Sequence, residues 1–430
     1  MLKLILGELI ANVRVWLGAL LVAAATGAVG AVIGSGLQTA ISIDGNHLLA
    51  VYGISGIILT LSTITALIVT GTVANLTVAL QQRGYALWQL AGITPARVRL
   101  VVTSQLAIVS LLGAAIGCVA ATPVLGPLWR FALTDLTVRF DARGAAPVIV
   151  VVVLIVTLGG SRGAGRAAHT PPIRSLREPE LPGRAMTRGR WIGGTLTLAI
   201  TVAIVVSLPG RDPSKMTAPL TFVAPLLAGV LAAFGPLYLT ALLRGWTSLI
   251  PATASSSWFL ARNSTAYNVS RSTATISPVS VAIALTGGLY AADATTTGGG
   301  SPEAGSVALL LGGPMLLSLL GAVATIFMSS GRREREYALL LAAGGTPGTV
   351  LAAAALEAII YVVTAILLGA SPVVITALAG AWAAGTTPSF GVGAILAVAG
   401  TSLVLTLGAT LLPTALALRH DVPRTLARDA

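Results

Sequence analysis

Charge is what this sequence has least of. Only 9% of its 430 residues are Asp, Glu, Lys or Arg, against roughly 25% in a soluble domain. With 55% hydrophobic residues and a mean hydropathy of +0.90, a soluble fold has no way to hide the apolar surface, so the bilayer must be the solvent. Cysteine is nearly absent. Cys118 stands alone inside an apolar run, which excludes an internal disulfide and says nothing about redox compartment. Lysine is almost missing too, with Lys3 and Lys215 beside 24 arginines. Together with abundant Ala, Gly and Val, this composition points to a GC-rich bacterial genome.

Other absences remove whole classes of chemistry. Neither lysine follows a glycine, so there is no Gly-Lys-[Ser/Thr] loop to cradle phosphates, and the chain is expected to hydrolyse no nucleotide itself. His47, His169 and His420 are far apart, and neither a metal site nor a Ser/His/Asp arrangement is expected. A net charge of +12 would fit nucleic acid if the basic residues formed one soluble face. They sit instead in short clusters between apolar stretches, so no nucleic-acid partner is expected.

A hydrocarbon core of ~30 Å needs about 20 apolar helical residues. Uncharged runs occupy 15–43, 45–82, 100–129, 144–161, 191–210, 216–243, 272–292, 304–331 and 358–418. The last is too long for one crossing, and Ser371-Pro372 with Gly385-Thr-Thr-Pro388 are expected to break it in two. The result is an all-α integral membrane protein of about ten transmembrane helices. With the N-terminus inside, the cytoplasmic segments hold 21 of the 26 basic residues, leaving Arg130, Arg139, Arg143, Arg211 and Lys215 outside. Both termini are therefore predicted to be cytoplasmic. Lys3, an apolar stretch and Ala23–Ala25 imitate a signal peptide. Glu8 and Arg14 interrupt it, which favours a retained first helix. Leu2, Ile5, Leu6, Leu9, Ile10 and Val13 form one stripe, predicting an amphipathic interfacial helix over 1–14. In the outer loop 125–143, Leu136, Val138 and Phe140 alternate with polar residues, as a short strand or an interfacial cap would.

The chain also repeats itself. Arg83-Gly-Tyr-Ala-Leu-Trp-Gln-Leu-Ala-Gly-Ile-Thr-Pro95 aligns with Arg335-Glu-Tyr-Ala-Leu-Leu-Leu-Ala-Ala-Gly-Gly-Thr-Pro347 at an offset of 252, with eight of thirteen positions identical. The same offset pairs Val98 with Val350 and Gly117 with Gly369. Each copy closes on a basic tail, His169-Thr-Pro-Pro-Ile-Arg-Ser-Leu176 and His420-Asp-Val-Pro-Arg-Thr-Leu426. The match lies in the polar segments, where chance identity is lowest, and both copies have one orientation. The organisation read from it is a first four-helix unit over 15–178, a linker with two transmembrane helices over 179–250, and a second four-helix unit over 251–430. Within the motif a short helix stops at Ala-Gly or Gly-Gly, and Thr-Pro starts the next helix, Thr as N-cap and Pro in the first turn. A short surface helix between two spanning helices suits docking into a groove on a cytoplasmic partner.

These residues resemble the FtsX-like permease family (MacB/FtsX-type ABC transporter permeases), whose members carry a segment like R-E-[apolar]-A-L-L-R-A-L-G-A-T-P. Copy two is close to it; copy one has Gly84 in place of the Glu. Leu260-Ala-Arg-Asn263 with Arg271 is similar to the family's basic lead-in to a unit. The resemblance implies coupling helices near 83–95 and 335–347 that seat in a separate ABC ATPase, two ATPase copies per chain. It implies ATPase-coupling roles for Arg83, Tyr85, Leu87, Gly92 and Pro95, and for Arg335, Glu336, Tyr337, Leu339, Gly344 and Pro347. ATP and magnesium are expected on that partner, with no cofactor on this chain. The fused form is most similar to the peptide-resistance branch, in the bacterial plasma membrane. The large extracellular domain of the best-known members is absent; only about 36–49 and 292–305 stand there.

The reading that follows is a permease subunit that exports or extracts from the membrane a lipophilic or amphipathic compound, a peptide or a lipid. Mechanotransmission without transport is one alternative. An ion-coupled secondary transporter is the other, and it needs several intramembrane ionisable groups. Glu357 is the one acid within a predicted span, and its repeat partner is Gln105; the pair is the candidate intramembrane polar site, or else a contact to the helix lead-in. Gly30/Gly34 and Gly113/Gly117 have GxxxG spacing.

Overall fold

A computed structural model describes residues 12–41, 47–132, 138–169, 186–267, 269–297 and 304–418, with Gly7 and Leu9 besides. Among them there is no strand. The long elements are α1 (Val13–Ile41), α2 (His47–Leu80), α4 (Pro95–Ala132), α5 (Ala142–His169), α6 (Arg188–Val206) and α7 (Pro213–Thr247). Then come α9 (Val269–Thr297), α10 (Ala304–Ala342), α11 (Pro347–Ala384) and α12 (Val392–Ala417). These ten are long and apolar enough to cross a membrane. Two shorter helices, α3 (Gln82–Leu90) and α8 (Ser256–Tyr267), lie between them.

Packing follows two similar patterns. Helix α1 packs on α4, α4 on α5, α5 on α2 and α2 on α1, with α1 also against α5. Likewise α9 packs on α11, α11 on α12, α12 on α10 and α10 on α9, with α9 also against α12. The two sets meet where α10 packs against α1 and α2. Helix α7 lies against α9 and α11, and α6 lies chiefly against α7.

Small residues make the closest crossings, as lipid-immersed bundles require. A Cβ on Gly117 of α4 would lie 1.9 Å from the Ala24 carbonyl oxygen of α1. On Gly369 of α11 it would lie 2.7 Å from the Ser280 carbonyl oxygen of α9. Both GxxxG pairs are packed: Gly113 and Gly117 face α1, and Gly30 and Gly34 face Val148 of α5.

Polar groups in these helices are largely satisfied locally, since the hydrocarbon offers no partner. Along α12, Thr406, Thr410 and Thr414 are buried and donate to the carbonyls four residues back. Ser371-Pro372 does not break the chain: α11 runs through it to Ala384, and the only interruption is at Gly385, whose φ is +66°. A proline removes the N–H that would reach the carbonyl four residues back. For Pro372 that carbonyl belongs to Leu368, and Ser371 Oγ donates to it at 2.9 Å. Thr122 does the same for the Val119 carbonyl at 2.7 Å, ahead of Pro123.

In the outer loop, α4 extends to Ala132 and residues 138–140 form no strand. Val138 and Phe140 are half-buried against the helices, so this stretch caps the bundle. Leu136, most of the 1–14 helix, and both basic tails past His169 and Leu418 lie outside the described residues.

Candidate functional site

The repeated motif has the same local geometry twice. Gly92 and Gly344 have φ of +88° and +93°, a left-handed conformation that favours glycine. Helices α4 and α11 then begin at Pro95 and Pro347 and end at Ala132 and Ala384, keeping the offset of 252 throughout. Thr346 caps α11, its Oγ1 accepting from the Thr349 N–H at 3.2 Å. The expected Gly stop and Thr-Pro start are therefore present as local structure.

Before the glycine the copies differ. Copy one has a break at Gln81, and α3 is a separate helix of nine residues. In copy two no break separates the membrane helix from the motif, and α10 runs for 39 residues from Ala304 to Ala342. The separate short helix expected in each copy is thus present only in the first. In the second, the motif is the end of a long helix.

Tyr85 is fully buried, as is Gln105 on α4. The Tyr85 hydroxyl lies 2.5 Å from Gln81 Oε1 and 3.2 Å from Gln105 Oε1. A phenol has one proton to give. Both contacts are served together when it donates to Gln81 and the Gln105 amide turns its Nε2 toward the phenol oxygen. Tyr85 also meets Trp88 edge-on at 5.3 Å. Gln89 Nε2 donates to the carbonyls of Ala167 and Ala168 on α5 at 3.1 and 3.0 Å. Inward-facing side chains thus hold α3 to α4 and α5. Its outward face carries Arg83, Leu87 and Leu90, followed by exposed Gly92 and Pro95.

In copy two, Tyr337 is half-buried and its hydroxyl lies 3.3 Å from Thr414 Oγ1 on α12. Glu336, Leu339, Gly344 and Pro347 are exposed. Within the motif, Leu87 and Leu339, 50% and 53% exposed, are the large apolar pair presented outward at equivalent positions. Arg335 is on α10, but its side chain lies outside the described residues.

Glu357 lies ten residues into α11 and is buried, 6% exposed. Ser264 of α8 donates to its Oε1. The lead-in helix is thereby tied to α11, and its own Trp258 is buried and edge-on to Trp246 of α7 at 6.5 Å. Glu357 and Gln105 occupy equivalent positions but face different neighbours, a lead-in helix in one case and the motif tyrosine in the other. Gln81, Ser264 and Thr414 were not singled out in the sequence. Gln81 had a readable signal, standing four residues before Tyr85 and so on its face. Among the described residues no group of three His, Cys, Asp or Glu side chains gathers to hold a metal.

No family model matches the chain, and none of the characterised proteins or solved structures compared with it does either. The ten apolar helices define a multi-pass membrane protein. Anything more particular rests on the geometry above.

Proposed function

We propose that the chain is the permease subunit of an ABC transporter, built from two parallel four-helix units joined by α6 and α7. The observation that carries this is the repeated corner. A positive-φ glycine, a Thr-Pro helix start and an outward leucine recur 252 residues apart. The matched helix packing and the matched Gly117 and Gly369 crossings support the duplication. Both termini and both corners face the cytoplasm of a bacterium, and one ATPase subunit docks on each corner. Leu87 and Leu339 are its contact points; Tyr85 and Tyr337 are positioning residues that fix each corner to its own unit. ATP closure of the ATPases draws the corners together, and the movement passes up α4 and α11 to shift an amphipathic compound across or out of the membrane. An ion-coupled mechanism has less to work with, because Glu357 is already engaged by Ser264.

The test is co-purification and ATPase stimulation with candidate ABC ATPase subunits. Leu87→Asp with Leu339→Asp is expected to abolish both while leaving the membrane domain folded. Failure of the wild-type chain to bind or stimulate any such ATPase would sink the proposal.

A further inference from the structure

A groove of about 630 Å³ opens between α1, α2 and α5, with Leu317 of α10 at its back. That lies within the usual ~300–1,000 Å³ of small-molecule sites. It begins where α1 ends and α5 starts, at the end of these helices away from the repeated corners. It reaches down α5 from Arg143 to Ile155, which at ~1.5 Å per residue is ~18 Å, about one leaflet of a ~30 Å core. Its walls are apolar, with Ile33 and Leu37 from α1 and Val151 from α5 among them. Its mouth is charged.

Arg139 and Arg143 stand at that mouth with Asp141 between them. Asp141 is occupied locally. Its Oδ1 accepts from the Arg143 and Gly144 N–H groups at 2.9 and 3.3 Å, capping α5, and Gln38 lies beside it. Among the described residues neither arginine forms an ion pair. An apolar slot one leaflet deep, with two arginine forks at its rim, is complementary to one chemical class. We propose that this groove holds a single anionic phospholipid, its acyl chain between α1, α2 and α5 and its phosphate at Arg139 and Arg143.

The second copy does not repeat the site. Phe140 and Phe390 stand at one register before α5 and α12, and there Ser389, Gly391 and Gly393 replace Arg139, Asp141 and Arg143. In the register that matches Ala24 to Ser280, Tyr290 replaces Gly34. The stoichiometry is therefore one lipid per chain. Binding follows from the groove itself; only the assignment of that lipid as the transported compound, drawn from the outer leaflet, rests on the permease reading.

The experiment is native mass spectrometry of the purified chain alone, titrated with equimolar phosphatidylglycerol and phosphatidylcholine. One phosphatidylglycerol should be retained in preference. Arg139→Gln with Arg143→Gln should erase that preference, weakening phosphatidylglycerol about tenfold or more, as two interfacial arginines would. Val151→Trp should weaken both lipids by filling the slot, with a monodisperse elution profile reporting the fold. Millimolar inorganic phosphate should displace little, because the acyl chain is needed. Equal retention of the two lipids by the wild type, an unchanged preference in the double arginine variant, or displacement by phosphate alone would each overturn the proposal. No ATPase is present in the assay, so its outcome is separate from that of the coupling test.

Discussion

Gly117→Ala is the substitution whose cost can be worked most directly from the structure. The new Cβ would sit 1.9 Å from the Ala24 carbonyl oxygen, with the Ala24 carbon and Ala28 nitrogen both at 2.8 Å. All three atoms are backbone, so no side chain can swing aside. An unstrained carbon–oxygen contact is ~3.3 Å, so α1 and α4 must part by ~1.4 Å. A gap of 0.5–1 Å already forfeits a quarter to a half of each dispersion contact, and α1 packs along α4 for much of its length. Overpacking usually costs ~1–3 kcal/mol, and this position should lie at or above the top of that range. Gly126 is the control, because a Cβ there meets nothing within 4 Å, and Ala should be neutral or slightly stabilising on helix propensity. Thermal unfolding in one detergent should rank Gly126→Ala at or above wild type and Gly117→Ala far below. Gly369→Ala, with a 2.7 Å approach to the Ser280 carbonyl oxygen, should fall between them. Equal melting temperatures for Gly117→Ala and Gly126→Ala would refute the close crossing.

Other expectations rest on the polar contacts. Tyr85→Phe strips the phenol from between Gln81 and Gln105 and should cost ~1–3 kcal/mol for the buried amides left short of a partner, read as a fall in melting temperature. Tyr337→Phe should cost less, since Thr414 keeps its bond to the Thr410 carbonyl; a larger loss from Tyr337 than from Tyr85 would reverse the assignment. Ser264→Ala removes a donor from buried Glu357 and should loosen α8, seen as faster proteolysis near residue 260, whereas Ser248→Ala, on an exposed side chain, should not. The Asp141 carboxyl is held below the usual range, first by the Gln38 side chain; desolvation opposes this, and the Arg143 and Gly144 N–H groups with the Arg143 charge add to the lowering. A lowered folded-state value means stability that is present above an unfolded value of ~4 and lost as pH falls through the folded one. Melting of the wild type should therefore drop in that acid window more steeply than melting of Asp141→Asn, and parallel curves would count against the capping role.

Hydropathy made the ten spans legible because each apolar run had to become a helix once it entered lipid. The corner was legible for a different reason: Gly92 and Gly344 are backbone requirements, and Thr346-Pro347 is a start signal with its own chemistry. What the sequence concealed was direction. Tyr85 sits in a polar stretch and reads as a docking residue, yet two amides 24 residues apart in sequence, Gln81 and Gln105, converge on its hydroxyl and turn it inward. Ser371-Pro372 reads as a break because the lost N–H is visible in one dimension and the hydroxyl that covers Leu368 is not. The groove was illegible altogether. Its walls come from three helices, and an Ile33 that faces a cavity has the same letter as one that faces lipid.

The unbroken course of α10 gives the two halves of the chain unequal mechanical parts. Copy one has a joint at Gln81, where a push on α3 can be absorbed as a change of angle before it reaches α2. Copy two has a rod. From Leu339 the helix runs without a break to the stretch of α10 that is packed against α1 and α2. The second half is in this way built directly onto the first, onto the two helices that form one side of the groove. Two sets of helices that pack alike are therefore unlike at their corners, one hinged at Gln81 and the other rigid to its end.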